Sequence, residues 1–264
     1  MDKYYTKKNT VEICFNLINK NLTFDTDDLI IEPSAGNGAF IEKIKQQMCK
    51  HIFYDIYPEN TEIIKNNFLD LNLNLNLYKS NFTKIHIIGN PPFGKQSSIA
   101  IKFIKKCCKF ADSISFILPK SFKKDSLQKK FSLKYHLVVS ENIPDNSFTL
   151  NNQEYPVPCV FQIWEKRSYN REIINKIEPI NFKFVKKNEY PSFSFRRVGA
   201  NAGNIDIEIE SKSIQSHYFI KINDLSLIDK FKNIKFTHDN TVGPRSINKQ
   251  ELTTKFNLVS TTHG

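Results

Sequence analysis

Glycine is scarce in this chain: 8 in 264 residues, alongside two methionines and a single tryptophan. Set beside the many Lys, Asn and Ile residues, that scarcity points to AT-biased coding and carries no functional content. The five cysteines, Cys14, Cys49, Cys107, Cys108 and Cys159, are odd in number and lack C-x-x-C spacing. This excludes a disulfide framework or a cysteine-ligated zinc site and predicts reduced, mostly buried thiols. The six histidines are scattered, so neither a metal site nor a catalytic triad is expected. No apolar run approaches membrane-spanning length, and the start Met1-Asp2-Lys3-Tyr4-Tyr5 is polar. The expectation is a soluble intracellular protein, cytoplasmic or nuclear, with no membrane partner and no metal. Carboxylates are also short: 27 Asp and Glu face 38 Lys and Arg, giving a net charge of +11. Such a field favours polyanionic partners, of which nucleic acid is the commonest, although a lysine-rich proteome gives the same excess. The length allows one large domain, or one domain with an appendage.

The most informative stretch is Asn90-Pro91-Pro92-Phe93, which follows the short β-branched run Ile85-His86-Ile87-Ile88-Gly89. That run reads as a buried parallel strand. Proline holds the residue before it extended and supplies no N–H, so two in succession fix Asn90 and the Pro91 carbonyl at the strand's carboxyl end. Open α/β sheets bind ligands there. An Asn oxygen and a backbone carbonyl are both acceptors and suit the two N–H groups of an exocyclic amine such as adenine N6. Phe93 offers a face on which a base can stack. The bland alternative is a strand followed by a proline-rich turn.

Upstream, Leu29-Ile30-Ile31 reads as another buried strand, ending in Glu32-Pro33-Ser34-Ala35-Gly36-Asn37-Gly38-Ala39-Phe40 before a helix through Ile41 and Ile44. Strand, glycine turn and helix is the phosphate-cradling arrangement, but Ile41 holds the third glycine position of G-x-G-x-x-G. A turn opening on a carboxylate suits a cationic or amine-bearing ligand better than a pyrophosphate. A further strand, Ile52-Phe53-Tyr54, ends at Asp55, a spacing that suits an acidic residue binding both ribose hydroxyls. Before all of these, Tyr4-Tyr5-Thr6 precedes a helix with apolar positions Val11, Phe15, Leu17 and Ile18. Thr6, Asn9 or Thr10 caps that helix, or the segment covers a ligand.

Taken together, E-P-S-A-G-N-G-A-F, Asp55 and G-N-P-P-F-G resemble the S-adenosylmethionine-dependent methyltransferases of the seven-stranded Rossmann-like class, and within it the N6-adenine group. The resemblance covers about residues 4 to 166 and is most specific at 32–40 and 90–93. It implies S-adenosylmethionine as cofactor and a mostly parallel, twisted, seven-stranded α/β sheet with an antiparallel edge hairpin. It implies that Glu32, Pro33, Gly36, Gly38 and Phe40 hold the methionine portion, that Asp55 holds the ribose, and that Tyr5 and Thr6 pack against the cofactor. Asn90, Pro91, Pro92 and Phe93 would receive the target amine, which displaces the sulfonium methyl directly. The family often has Asp before Phe-Leu after its second strand; here Asn67 precedes Phe68-Leu69 and still offers an acceptor to the adenine amine. The same N-P-P-F/Y signature suits guanine N2 in RNA or a glutamine amide in a protein. A catalytically inactive nucleic-acid-binding module is the reading from another class.

The remaining stretches give expectations of lesser detail. Leu69 to Leu77 alternates with period two and reads as a strand or a low-complexity insertion. Lys95 either reaches a phosphate beside the target pocket or is one lysine among many. Ile99 to Phe110 reads as a helix and Ser113 to Leu118 as a strand. Lys120, Lys123, Lys124, Lys129 and Lys130 fall on a helical segment whose basic face is a candidate backbone-binding surface or a solvated face. His136 to Val139 and Val157 to Trp164 read as the edge hairpin. No recognition domain fits between the glycine turn and N-P-P-F, so one is expected after it, with a catalytic domain at 1–166 and a small α+β extension at 167–264. There Phe182, Phe184, Phe193 and Phe195 interleave with Lys186, Lys187, Arg196 and Arg197. Such strands either bind nucleic acid or are ordinary half-buried strands. Residues 198–204 and 241–246 read as flexible turns.

Overall fold

Three short runs, Leu29–Glu32, Ile85–Gly89 and Ser113–Pro119, are buried at every position. They lack polar–apolar alternation because parallel strands at the centre of a sheet are covered on both faces. In the computed structural model, which describes residues 4–71, 80–150, 153–172, 176–236 and 245–261, they are β2, β5 and β6. Around them lie β1 (Tyr5–Thr6), β3 (Lys50–Asp55), β4 (Ile64–Lys65), β7 (Tyr135–Asn142), β8 (Phe148–Leu150), β9 (Gln153–Tyr155) and β10 (Cys159–Lys166). The main sheet runs β4-β3-β2-β5-β6-β10-β7. Its first five strands are parallel, and β10 is antiparallel to both β6 and β7. This is the mixed α/β architecture with an antiparallel edge that the sequence predicts.

Alternate residues of the central strands feed two cores. Ile30, Ile88 and Ile117 pack with Val11, Phe15 and Ile18 of the helix Lys8–Asn21. Ile31, Ile87 and Phe116 face the other way, against Ala100, Phe103 and Ile104 of the helix Ser98–Cys107. A buried polar tie closes the amino end of the sheet, where His86 bonds Ser113 Oγ at 2.8 Å and Asp28 Oδ2 at 3.3 Å. Cys14, Cys49, Cys107 and Cys159 are buried thiols and Cys108 is half-buried. Among the described residues no helix is long and apolar enough to cross a membrane.

Several local expectations are corrected. The first helix begins after Lys7 with no side-chain cap. Thr6 is instead in β1, which pairs antiparallel with β8 (Tyr5↔Thr149, Thr6↔Phe148) in a separate small sheet with β9. The basic stretch after β6 is not one helix. Lys120–Lys123 is a 3-10 turn, Lys124 is extended, and Asp125–Gln128 makes a single helical turn. Lys129 and Lys130 then join Lys105 and Lys109 around a shallow depression beside Cys108, at the opposite sheet end from Asn90. Only Lys120, Lys123 and Lys124 follow directly from a strand's carboxyl end. Of the Leu-Asn repeat at 69–77, residues 72–77 lie outside the described residues, as do 241–244.

The structure divides into two units, Met1–Glu172 and Ile173–Gly264. The second carries an antiparallel sheet of β11 (Phe182–Val185), β12 (Phe193–Arg196), β13 (Ile205–Asp206) and β14 (His217–Ile222), in the order β11-β14-β12-β13. Phe182, Phe193 and Phe195 are buried with Phe231 of the helix Leu227–Lys232 and Phe256 of the helix Lys249–Thr261. Three of the four interleaved phenylalanines are therefore core, closed off from any base, and Phe184 alone is half-exposed. Nor is 198–204 a free turn, because Gly199 N bonds Arg245 O at 2.9 Å and Ile247 N bonds Arg197 O at 2.8 Å.

One side chain outside the regular elements binds the edge of the first unit. The Arg171 guanidinium donates to four backbone carbonyls, those of Ser132 (2.7 Å), Tyr135 (2.6 Å), Gln128 (3.1 Å) and Phe131 (3.1 Å). It also lies over the Trp164 ring, which stacks on Phe131. A planar fork with five donors can do this and an ammonium cannot. Arg171→Lys should therefore destabilise the first unit nearly as much as Arg171→Ala, by on the order of 2–3 kcal/mol. Denaturant unfolding of both variants checks this; a Lys variant as stable as the wild type would reduce Arg171 to a surface charge.

Candidate active site

The carboxyl ends of β2, β3 and β5 lie side by side, and each delivers one polar side chain. Parallel pairing of β2 with β5 aligns Ile31 with Ile87, so the following residues, Glu32 and then Gly89-Asn90, emerge together. A β-carbon on Gly89 would lie 3.2 Å from Glu32 Cγ. The bare backbone is what lets the two strand ends close up.

Glu32 is 1% exposed, and its Oε2 is buried with no hydrogen-bond partner. Loss of solvent, reinforced by the Asp55 charge, pushes its carboxyl up to about 8. Asp55, at the end of β3, has a different task. Its Oδ2 accepts from Gly36 N at 2.8 Å and its Oδ1 from Tyr57 N at 2.7 Å. Asp55 therefore braces the glycine turn from the neighbouring strand. Gly38 has φ +87°, and a β-carbon there would meet Ile41 Cδ1 at 2.7 Å. Ile41, standing in the place of the third fingerprint glycine, fills that space with its own side chain.

Asn90 is fixed on three sides. Its Nδ2 donates to Thr6 Oγ1 at 3.2 Å, its carbonyl accepts from Ser34 Oγ at 3.3 Å, and Pro91 behind it is buried. Its Oδ1 is left buried and without a partner. With the amide nitrogen engaged, the atom presented to a ligand is an acceptor. Thr6 can do this because β1 is held by β8, and Tyr5 beside it donates to Glu59 Oε1 at 2.5 Å. Glu59 N in turn bonds Gly36 O at 3.0 Å. Phe93 is half-buried against both cores.

The structure thus brings together Thr6, Glu32, Gly36, Asp55 and Asn90, with Tyr5 tied to the same turn through Glu59. Phe40 and Phe68 are each 1% exposed, Phe40 tilted on Phe15 and Phe68 stacked on Phe103 at 5.7 Å. Their rings serve packing. Asn67 closes its own turn, bonding Leu69 N at 3.1 Å and Asp70 Oδ2 at 2.5 Å. Lys95 lies exposed in a turn where Gly94, Gln96 and Ser97 all have positive φ. In the second unit, Lys187 bonds Glu210 O, Arg196 bonds Val198 O and Arg197 bonds Gln215 O, while Lys186 is exposed. Ser34 and Glu59 were not singled out from the sequence. Ser34 sits inside the recognised turn, but nothing near Glu59 signals its role.

The main sheet thus carries an antiparallel strand inserted beside its edge, in the order β4-β3-β2-β5-β6-β10-β7. No protein-family model and no curated protein matches the chain. Among solved structures it is similar to the methyltransferase subunit of a type I restriction-modification system from Streptococcus thermophilus, at 13% identity and TM-score 0.44, covering 97% of this chain and 59% of that one. It is similar to the modification subunit of a proposed type I restriction enzyme from Vibrio vulnificus, at 12% identity and TM-score 0.45, over 62% of this chain and 45% of that one. A S-adenosylmethionine-dependent methyltransferase from Anabaena variabilis matches at 11% identity and TM-score 0.41, over 63% and 88%. The chain thus spans about half the length of the two restriction-system subunits.

The Glu32 carboxyl gives a direct test of the site's electrostatics. Its folded value of about 8 lies above the ordinary 4.5, so between these the folded chain holds a proton that the unfolded chain has released. Its contribution to stability is complete below about 4.5 and is lost as pH rises towards 8. The slope approaches about 1.4 kcal/mol per pH unit. Glu32→Gln should remove this slope and leave the ligand-free variant more stable than wild type near pH 8. Melting curves across that interval decide it, and parallel curves for the two proteins would mean that Glu32 is solvated.

Proposed function

We propose that this chain transfers a methyl group from S-adenosylmethionine to an exocyclic amine, adenine N6 in a nucleic acid. The observation that carries the reading is the pair of buried, unpartnered acceptors at adjacent strand ends, Glu32 Oε2 and Asn90 Oδ1. Buried polar atoms without partners are costly; His51 Nδ1 and Ser115 Oγ are others, but Glu32 Oε2 and Asn90 Oδ1 share one sheet edge, where a ligand's donors would satisfy them. They fit this cofactor and this substrate. Glu32, neutral in the ligand-free site, would ionise as the cofactor's cationic end binds beside it, and Asp55 has lone pairs beyond its two backbone bonds for the ribose hydroxyls. Bound there, S-adenosylmethionine supplies an electrophilic methyl on sulfur. Asn90 Oδ1 and the Pro91 carbonyl would accept the two N–H groups of the amine and aim its nitrogen at that methyl. Phe93 would stack on the base. Catalysis then comes from positioning and exclusion of water.

The net charge of +11 favours a polyanionic substrate over a protein glutamine. Labelled cofactor with separate pools of DNA, RNA and protein, followed by mass spectrometry of the modified residue, tests this. Label on adenine N6 is the expected outcome. Label on guanine N2 or on glutamine would move the substrate and keep the chemistry. Cofactor binding with no transfer to any pool would leave a binding module.

Division of labour between the two strand ends gives a sharper expectation. Asp55→Ala loses the ribose bonds and the brace on Gly36, and should weaken S-adenosylhomocysteine binding by on the order of 2–4 kcal/mol. Asn90→Ala should leave that affinity within a few-fold and abolish transfer. Calorimetry on both variants measures it. Equal loss of cofactor binding in the two would show that Asn90 supports the turn and does not hold the amine.

A further inference from the structure

The second unit has an open cleft of about 620 Å³ that none of the catalytic residues lines. Its wall is aromatic. Phe184 of β11 and Tyr218 of β14 are half-exposed and meet edge to face at 5.6 Å. Cations crowd these rings: Lys249 Nζ lies 4.6 Å from the Phe184 centroid and 5.7 Å from that of Tyr218, and the Arg197 guanidinium lies 5.6 Å from Tyr218. Lys186 and Lys187 complete the lining on one side. The acidic side chain in the lining is Glu210, and Lys187 bonds its backbone carbonyl rather than its carboxylate. Glu189 takes the backbone N–H of Lys186, which leaves the Lys186 ammonium exposed. Phe184 and Tyr218 pack against the edge of the core that holds Phe182, Phe193 and Phe195, with part of each ring left in solvent. Here a row that begins in the core at Phe182 continues into solvent at Phe184, with Phe182 and Phe184 at 5.8 Å.

Half-exposed aromatic faces ringed by lysine and arginine are the chemistry that holds a single-stranded nucleic acid: a flat base on the rings and phosphates on the cations. A paired base has no free face to offer. We propose that this cleft binds an unpaired nucleotide of a nucleic-acid strand, with the base against Phe184 and Tyr218 and the flanking phosphates on Lys186 and Lys187. The ligand class rests on the reading of the chain as a nucleic-acid methyltransferase; the choice of unpaired over paired strand rests on the cleft. It would give the chain a grip on its substrate strand outside the catalytic centre.

The test uses the full chain and short fluorescent oligonucleotides, as single-stranded DNA, single-stranded RNA and blunt duplex, titrated at several salt concentrations. Phe184→Leu keeps apolar packing and removes the ring; it should weaken single-strand binding about tenfold or more, the loss of one stacked base. Lys186→Ala with Lys187→Ala should flatten the dependence of affinity on salt by about 0.7 per lost phosphate contact. Comparison of the DNA and RNA arms assigns the sugar. Iodouracil-bearing single strands should cross-link to β11 or β14 in the wild-type chain. S-adenosylhomocysteine affinity and melting temperature should not change in these variants. Normal single-strand binding by folded Phe184→Leu and by the lysine variant, tighter binding of duplex than of single strand, or cross-links confined to the first unit would each overturn the proposal. If a nucleic acid is methylated while the variants bind normally, the cleft alone is misread. If only protein is methylated and no oligonucleotide binds, the substrate reading falls with it.

Discussion

The lateral pairing of β2 with β5 is the contact on which the rest of the site depends. These strands are neighbours in the sheet but are separated in sequence by β3 and β4, and their pairing sets Glu32 beside Gly89, where a β-carbon would crowd Glu32 Cγ at 3.2 Å. Both strands are sealed on each face by helices, so water reaches neither the Glu32 carboxyl nor the Asn90 amide oxygen from the side. A carboxyl that burial pushes up to about 8 and an unmatched amide oxygen are both costs to the folded chain. They coincide at the carboxyl edge of a parallel sheet, the edge at which open α/β sheets bind ligands.

Much of the remaining polar structure holds those two groups in place. Asp55 grips the glycine turn from β3, Ser34 bonds the Asn90 carbonyl and Thr6 its amide nitrogen, and Glu59 links Tyr5 to the turn. The Thr6 contact needs β1, and β1 needs β8, a strand in the connection between β7 and β10. The orientation of the Asn90 amide therefore depends on a short strand whose sequence, Phe148-Thr149-Leu150, carries no chemistry of its own.

The second unit solves a different problem. Five phenylalanines stand in its hydrophobic centre beside Ile220, Ile222, Leu227, Ile247 and Leu252, with Phe231 stacked on Phe256 at 4.2 Å and Phe182, Phe193 and Phe195 around them. Rings this large fill a small core with few residues, and the row that fills it extends past the core's edge at Phe184 and Tyr218. The alternation of Phe with Lys and Arg served burial at three positions, and position along β11 made the fourth a surface.

The amino-acid sequence by itself determined much of the first unit's fold. The runs Leu29–Ile31, Ile85–Gly89 and Ser113–Leu118, the glycine turn and N-P-P-F are local signals, because strand burial, turn geometry and proline stereochemistry act over a few residues. It also determined which residue types stand at the strand ends. Tertiary structure alone decided which of them turn into the cores and which keep an unpartnered atom at the strand ends. Phe40 and Phe68 share their motifs with Gly38 and Asn67 yet point into the two cores, and Thr6 leaves the helix it precedes to pair with a strand far along the chain. The same holds for the basic stretch after β6, which reads as one face and is divided by Lys124 between opposite ends of the sheet. Burial and hydrogen bonding between distant segments are sums over contacts that no local window contains, and those sums set the direction of each side chain.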